Sequence, residues 1–338
     1  MARPWMKRLA KIVGYGLVGL LLVLAIAITF TIGWRPFIGA KSRPLTARKF
    51  ERTPERLARG QYLADGVLSC FACHSQFDEK ADPPVITSKK GVGRTFAERG
   101  NFRIVAPNIT PDAESGVGNW TDDALARAIR EGIAQDGRTL FPIMGYREFR
   151  HLSDEDLAAV VVYLRSLEPV HNALPKTNVP FWLRRLVQAL PEPITAPVSA
   201  SDMSDPAKRR EYLNEIAGCG FCHTPRKGMP PHPDMARAFS GGNDFEGVVT
   251  PNITPDASGI SYYDESLFIQ VMRTGQVKAR KIKLPMPWPV YRNMTDEDLR
   301  AIFSYLRTLK PIRHVVDNTE PPTLCKICGK KHGFGDRN

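Results

Sequence analysis

Six cysteines occur in the 338 residues, and all six lie in Cys-x-x-Cys pairs: Cys70/Cys73, Cys219/Cys222 and Cys325/Cys328. A histidine follows the first two pairs at once, giving Cys70-Phe71-Ala72-Cys73-His74 and Cys219-Gly220-Phe221-Cys222-His223. One helical turn between the sulfurs lets both thiols reach the two vinyl groups of one porphyrin. The adjoining imidazole then meets the iron from the same face, which makes this the attachment signature of c-type haem. With this composition the pattern is expected about 0.002 times by chance, so two occurrences are not accidental. A zinc site needs four ligands, and neither pair has a second metal-binding pair close by. The expectation is two covalently bound haem c groups on Cys70, Cys73, Cys219 and Cys222, with His74 and His223 as iron ligands.

The sixth ligand decides whether such an iron carries electrons or binds a substrate. Met144, in Phe141-Pro142-Ile143-Met144-Gly145-Tyr146, is the sole methionine between His74 and the middle of the chain. The matching stretch further on is Leu284-Pro285-Met286-Pro287-Trp288. A lone methionine is usually core filler, but equivalent positions in two proline-bearing loops point to axial ligation by Met144 and Met286. Met294 competes for the second iron, but it aligns with Leu152 and precedes a helix cap, where a hydrophobic staple is expected. Histidine/methionine coordination raises the potential and leaves no open position, which suits an electron carrier better than a catalyst. Asn108, Thr110, Asn252 and Thr254, in two Asn-Ile-Thr-Pro-Asp loops, are candidates to hydrogen-bond the haem propionates. Plain turn chemistry explains the same residues, and both readings stand at this point.

The loops belong to a larger repeat. Pro107-Asn108-Ile109-Thr110-Pro111-Asp112-Ala113 recurs as Pro251-Asn252-Ile253-Thr254-Pro255-Asp256-Ala257, and Tyr163-Leu164-Arg165 as Tyr305-Leu306-Arg307. A first helix is expected to run from Arg59 to Cys70 and again from Arg209 to Cys219. Thr121 and Asp264 are expected to cap a middle helix that ends at Gly132 and Gly275. Ser153 and Thr295 cap a last helix, with acids at the next three positions near its positive end. Leu157, Val160, Leu164 and Leu167 share one face of it, as do Leu299, Ile302, Leu306 and Leu309.

Ile12 to Trp34 is uncharged, and a helix of about 22 residues spans about 33 Å, enough for a bilayer core of about 30 Å. The run is too long for a cleaved signal peptide and no small-residue cleavage site follows it. An uncleaved anchor is expected. The net charge is +12, yet twelve of the basic residues and only two acids fall within the first 60 positions, so the remainder is close to neutral. A nucleic-acid footprint is excluded on that distribution. Basic residues flank the apolar run on both sides, so the positive-inside count is nearly a tie.

The tandem Cys-x-x-Cys-His, Asn-Ile-Thr-Pro-Asp, Met-Pro-Trp, Thr-Asp-Glu-Asp-Leu and Tyr-Leu-Arg elements resemble class I cytochromes c. They are most similar to the multihaem cytochrome c subunits of periplasmic alcohol and gluconate dehydrogenases, over roughly residues 55–312. The resemblance implies an all-α fold of two tandem class I cytochrome c domains behind an N-terminal transmembrane helix. The divisions are an anchor over 1–35, a basic linker over 36–54, haem domains over 55–168 and 206–312, a proline-rich linker over 169–205 and a tail over 313–338. Phe181 to Val187 in that linker reads as a short amphipathic helix, expected to pack between domains, with the membrane surface as the alternative. Haem attachment to cytochromes c takes place outside the bacterial inner membrane, so a single-pass inner-membrane protein with periplasmic haem domains is implied. Its function would be electron transfer without catalysis, from a periplasmic dehydrogenase to a quinone, a soluble cytochrome or an oxidase. The rival readings are a dihaem peroxidase or thiosulfate-oxidising cytochrome, and a cytochrome subunit of a terminal oxidase. Related subunits commonly carry three haem domains, whereas this chain has two motifs. For Cys325/Cys328 a disulfide is expected, with metal or haem contact as alternatives.

Overall fold

The computed structural model describes residues 4–316, apart from 79, 82–83, 87–88, 229–231, 246 and 278–279, together with 323–324 and 331–332. The Cys325/Cys328 pair lies outside the described residues. The chain is mostly helical. Helix α1, Pro4–Phe30, carries Lys7, Arg8 and Lys11 near its start, is uncharged from Ile12 onward and buries none of its residues; among the described residues it alone is long and apolar enough to cross a membrane. A short helix α2, Arg35–Ile38, follows.

The first haem motif is reached through α3, Pro54–Tyr62, which continues as a π-helical turn over Leu63–Val67. The continuous helix expected here does not form. Ser69 turns left-handed at φ 47° and starts a separate helix, α4, Cys70–His74. Then come α5, Asp122–Glu131, α6, Tyr146–Phe149, and α7, Asp154–Arg165. Helix α8 covers Phe181–Val187 in the proline-rich stretch. The same order returns as α9, Pro206–Ala217, α10, Cys219–His223, α11, Glu265–Thr274, α12, Trp288–Tyr291, and α13, Asp296–Thr308. In the second pass the break before the motif falls on Gly218, at φ 70°, where the left-handed conformation has no Cβ penalty.

The expected caps are present. Thr121 accepts from the Ala124 amide, Ser153 from Asp156, Asp264 from Leu267 and Thr295 from Asp298. Gly132 and Gly275 close α5 and α11 in the left-handed region. A Cβ on Gly132 would sit 2.6 Å from the Tyr146 ring, and one on Gly275 would strike Trp288. Each glycine thus serves its own helix end and the aromatic residue beside the methionine loop.

First and last helices pair in each pass, α3 on α7 and α9 on α13. Gly60 on α3 meets the Ala159 backbone of α7 so closely that no side chain fits between them. The predicted apolar faces are buried, yet α7 is enclosed nearly all round whereas α13 leaves Arg300, Ser304 and Arg307 exposed.

Three features depart from an all-α chain with loose linkers. Residues Arg94–Arg99 and Phe102–Ala106 form an antiparallel hairpin with a bulge at Thr95/Ala97, since Gly100-Asn101 offers a turn between β-prone runs. The segment after α2 is docked rather than free. Arg43 lies 2.8 Å from both Asp123 and Glu131 on α5, and the Thr46 and Phe50 amides donate to Asp123 and Asp122. Helix α8 also departs from expectation: it packs on α2, and Arg35 bonds the Pro191 carbonyl just beyond it at 2.6 Å.

The two passes meet through matched bonds. Tyr212 of α9 donates to Asp156 of α7, which also holds Arg59 of α3. Reciprocally, Tyr62 of α3 donates to Asp298 of α13, which holds Arg209 of α9.

Candidate functional site

Each motif starts a new helix after a left-handed residue, and the first turn of that helix carries both thiols on one side with the histidine at its end. His74 and His223 are buried, and each ring is fixed by a backbone carbonyl. His74 Nδ1 lies 2.7 Å from the Pro107 oxygen and His223 Nδ1 2.8 Å from that of Pro251. A carbonyl only accepts, so Nδ1 carries the proton and Nε2 keeps its lone pair. That is the tautomer an iron ligand requires. Burial lowers the pKa of both imidazoles, which keeps them neutral.

Burial acts in the opposite sense on the thiols. It pushes Cys70 and Cys222 up to about 12 and Cys219 to about 11, and raises Cys73 as well. Thiolate nucleophiles need a lowered pKa, and burial works against that here. Neither pair is closed into a disulfide.

All four cysteines, both histidines, Met144 and Met286 line one continuous cavity of about 1980 Å³. Ligand pockets run to roughly 300–1,000 Å³, so this space is about twice what one such group needs. Met144 ends a 3₁₀ turn over Pro142–Met144, anchored by its amide to the Phe141 carbonyl at 3.0 Å. Met286 is held by the bond from the Trp288 amide to its carbonyl at 2.9 Å, and the Trp288 ring is fully buried under α11. Met294 does not face the cavity. It is buried against Gly66 of the first pass, in keeping with an apolar role. Met272 does line the cavity, a residue that spacing alone did not single out. Its counterpart in the first pass is Ile129, also a cavity wall, which marks the position as apolar lining.

In the Asn-Ile-Thr-Pro-Asp loops the polar side chains bond to the protein itself. Asn108 Oδ1 accepts from the amide and hydroxyl of Thr110, while Nδ2 donates to Ser115 Oγ and the Val170 carbonyl. Asn252 does the same with Thr254, Ser258 and Ile312. The donors of Asn108, Thr110, Asn252 and Thr254 thus have partners within the protein, as turn chemistry expects, and Asn108 and Asn252 also line the cavity, as a propionate contact would require. What the loops do is hold the Pro107 and Pro251 carbonyls against the histidines.

A donor that the motifs did not reveal is Arg94, on the hairpin. Its Nη2 bonds the Ala72 carbonyl at 2.8 Å, but Nε is buried in the cavity wall with no partner among the described residues. A buried cationic donor without an acceptor fits the carboxylate edge of a porphyrin. Tyr291 is a second such residue. Burial raises its phenol well above the ordinary value, and Cys219, Cys222 and Cys73 add to the rise. The Tyr291 hydroxyl donates to the Ala217 carbonyl at 2.7 Å. Cavity, paired thiols, oriented imidazoles and an orphaned cation together fit covalently held haem.

The cytochrome c family profile matches residues 57–168. The chain is 29% identical over 276 residues to the alcohol dehydrogenase (quinone) cytochrome c subunit of Gluconobacter oxydans, covering 76% of this chain and 55% of that protein. It is 32% identical to the fructose dehydrogenase cytochrome subunit of Gluconobacter japonicus, over 75% and 52% respectively. The chain thus spans about half the length of these two relatives. With a diheme cytochrome c-type protein of Cereibacter sphaeroides it shares 31% identity over 72% of this chain and 82% of that one. On the motif, the site and these likenesses, the chain belongs to the cytochrome c family.

Proposed function

We propose that this protein is a membrane-anchored dihaem cytochrome c that relays electrons from a periplasmic dehydrogenase to a respiratory acceptor: a quinone, a soluble cytochrome or an oxidase. The observation that carries the reading is the shared cavity. Two Cys-x-x-Cys-His turns open into one space. Residues 55–168 and 206–312 each form a class I domain in this reading, and 1–35 is the anchor in the inner membrane. The names of the relatives support a dehydrogenase as the donor. The outer face of the inner membrane, where cytochromes c receive their haem, supports a periplasmic location.

Bound haem supplies one-electron cycling of iron. The chain supplies the rest. Cys70 and Cys73 would hold one porphyrin through thioether bonds, and Cys219 and Cys222 the other. His74 and His223 would offer Nε2 to the irons, because Pro107 and Pro251 hold the other nitrogen. Met144 and Met286, on short proline-anchored turns, would offer thioether sulfur, and a sulfur-ligated iron suits electron transfer better than substrate binding. Arg94 would pair with a propionate.

Acidic acetone extraction of the denatured protein tests the attachment. Colour that stays with the chain, and falls by about half in Cys70→Ser/Cys73→Ser and again in Cys219→Ser/Cys222→Ser, supports two covalent haems. Colour that leaves with the solvent overturns the reading. Mild-detergent purification with identification of the companion subunits tests the donor.

A further inference from the structure

We infer that α8 and α2 together form a platform lying in the headgroup layer of the bilayer, so that the cavity-bearing body rests on the membrane instead of swinging from its anchor. This rests on the reading of α1 as a membrane span.

The uncharged part of α1, Ile12 to Phe30, is about 28 Å long at 1.5 Å per residue, close to the hydrocarbon thickness of about 30 Å. The chain leaves the core near Phe30. Trp34 then turns back, its indole donating to Thr29 Oγ1 at 3.0 Å, at the depth where tryptophans favour the interface. Helix α2 starts at the next residue, is tied to the end of α8 by the Arg35–Pro191 bond, and packs against α8. The protein contacts therefore bring α8, more than 140 residues along the chain, to the level of the anchor's outer end.

The outward sides of these helices are apolar. Phe37 and Ile38 are 53% and 81% exposed, and Phe181 and Trp182 are 63% and 60% exposed. Past Ile38, the other exposed large hydrophobics among the described residues, such as Met235 and Tyr262, are isolated along the chain. A contiguous apolar patch in a soluble head marks an interaction surface. This one continues the apolar surface of α1, and Arg184 and Arg185 rise beside the Phe181 ring. Aromatic residues with arginines at their margin suit an anionic phospholipid surface. Val187 of the same helix is buried and lines the cavity, so α8 joins the exposed aromatic patch to the cavity-bearing body.

The test uses the full-length, haem-loaded protein in vesicles of phosphatidylethanolamine and phosphatidylglycerol. A photoactivatable p-benzoylphenylalanine replaces Trp182, Phe37, Leu22 of the anchor, or Met235, which is exposed on the other part of the body. After irradiation, the mass of the chain reports phospholipid adducts. Positions 182 and 37 are expected to give adducts in yields similar to position 22 and at least about tenfold above position 235. Adducts at 22 with none at 182 overturn the platform and leave the anchor standing. A link from 182 to a second copy or to another protein overturns it as well. No adduct at 22 removes the anchor reading, and the platform with it.

Discussion

Tyr212 donates its hydroxyl to the Asp156 carboxylate at 2.6 Å, across the boundary between the two passes of the fold. The Ser153 amide, at the cap of the same helix, donates back to the Tyr212 oxygen at 3.1 Å. The mirror arrangement joins Tyr62 to Asp298 and the Thr295 amide. Each carboxylate holds an arginine from its own pass and a tyrosine from the other, so the contact is self-complementary in the manner of a two-fold interface. Hydrogen bonds to charged groups contribute about 1.5–3 kcal/mol. Tyr212→Phe is expected to cost about 2 kcal/mol by denaturant titration of the haem-loaded protein. Tyr62→Phe/Tyr212→Phe together are expected to split a single unfolding transition into two. One coincident transition in the double variant would show that the apolar contact alone couples the passes.

Arg43 straps the post-anchor segment to α5. Burial raises the Asp123 carboxyl, but the Arg43 hydrogen bond and charge together with the Thr46 hydrogen bonds outweigh it, and the net pKa lies below the ordinary 3.8. A depressed folded-state pKa contributes stability above the unfolded value and loses it as pH falls through the folded one. Arg43→Ala leaves Asp123 and Glu131 buried without their cation and is expected to cost about 3 kcal/mol near neutrality. That difference from the wild type should persist at about pH 6 and shrink at about pH 3, read as unfolding midpoints at both values. A difference independent of pH would assign the strap's contribution to packing.

How far the sequence discloses this protein depends on the range of the interaction. The caps Thr121, Ser153, Asp264 and Thr295 and the closing glycines were legible, because each acts within four residues. The haem motifs were legible because attachment chemistry demands neighbouring residues. What escaped were bonds between distant positions: Tyr62 with Asp298, Arg43 with Asp123, and α8 with α2. A signal for the first did exist, since Arg59-x-x-Tyr62 recurs as Arg209-x-x-Tyr212, with both tyrosines on the interface side. No comparable pattern marked Arg94, whose meaning comes from a cavity that only the folded hairpin closes. Asn108 and Asn252 were legible as important but not for what; their donors had to be followed to Val170 and Ile312, 62 and 60 residues on.

Gly275→Ala should damage the methionine loop from behind. The new Cβ would enter the ring of Trp288, which is fully buried and cannot withdraw without moving the Met286 carbonyl that its amide holds. Overpacking of this kind costs about 1–3 kcal/mol, and left-handed backbone at this position adds to it. The haem content should stay whole, because the thioether bonds do not depend on the loop. The ferric far-red band of sulfur-ligated haem should weaken, and an unaltered band would show that Trp288 does not position Met286.

The axial assignment makes its own prediction. Met144 and Met286 line the cavity with the two histidines, whereas Met294 is buried beside Gly66 and borders only a small adjoining space. Loss of a thioether ligand lowers the potential of the haem concerned, since histidine/methionine ligation holds it high. Met144→Ala and Met286→Ala are each expected to remove part of the far-red band and to shift one of two redox transitions downward, while Met294→Leu leaves both where they are. Two transitions are needed for the comparison, and potentiometric titration followed at the haem α-band resolves them. If Met286→Ala leaves the band intact and Met272→Leu removes part of it, the ligand to the second iron is on α11 and the loop serves only as a wall.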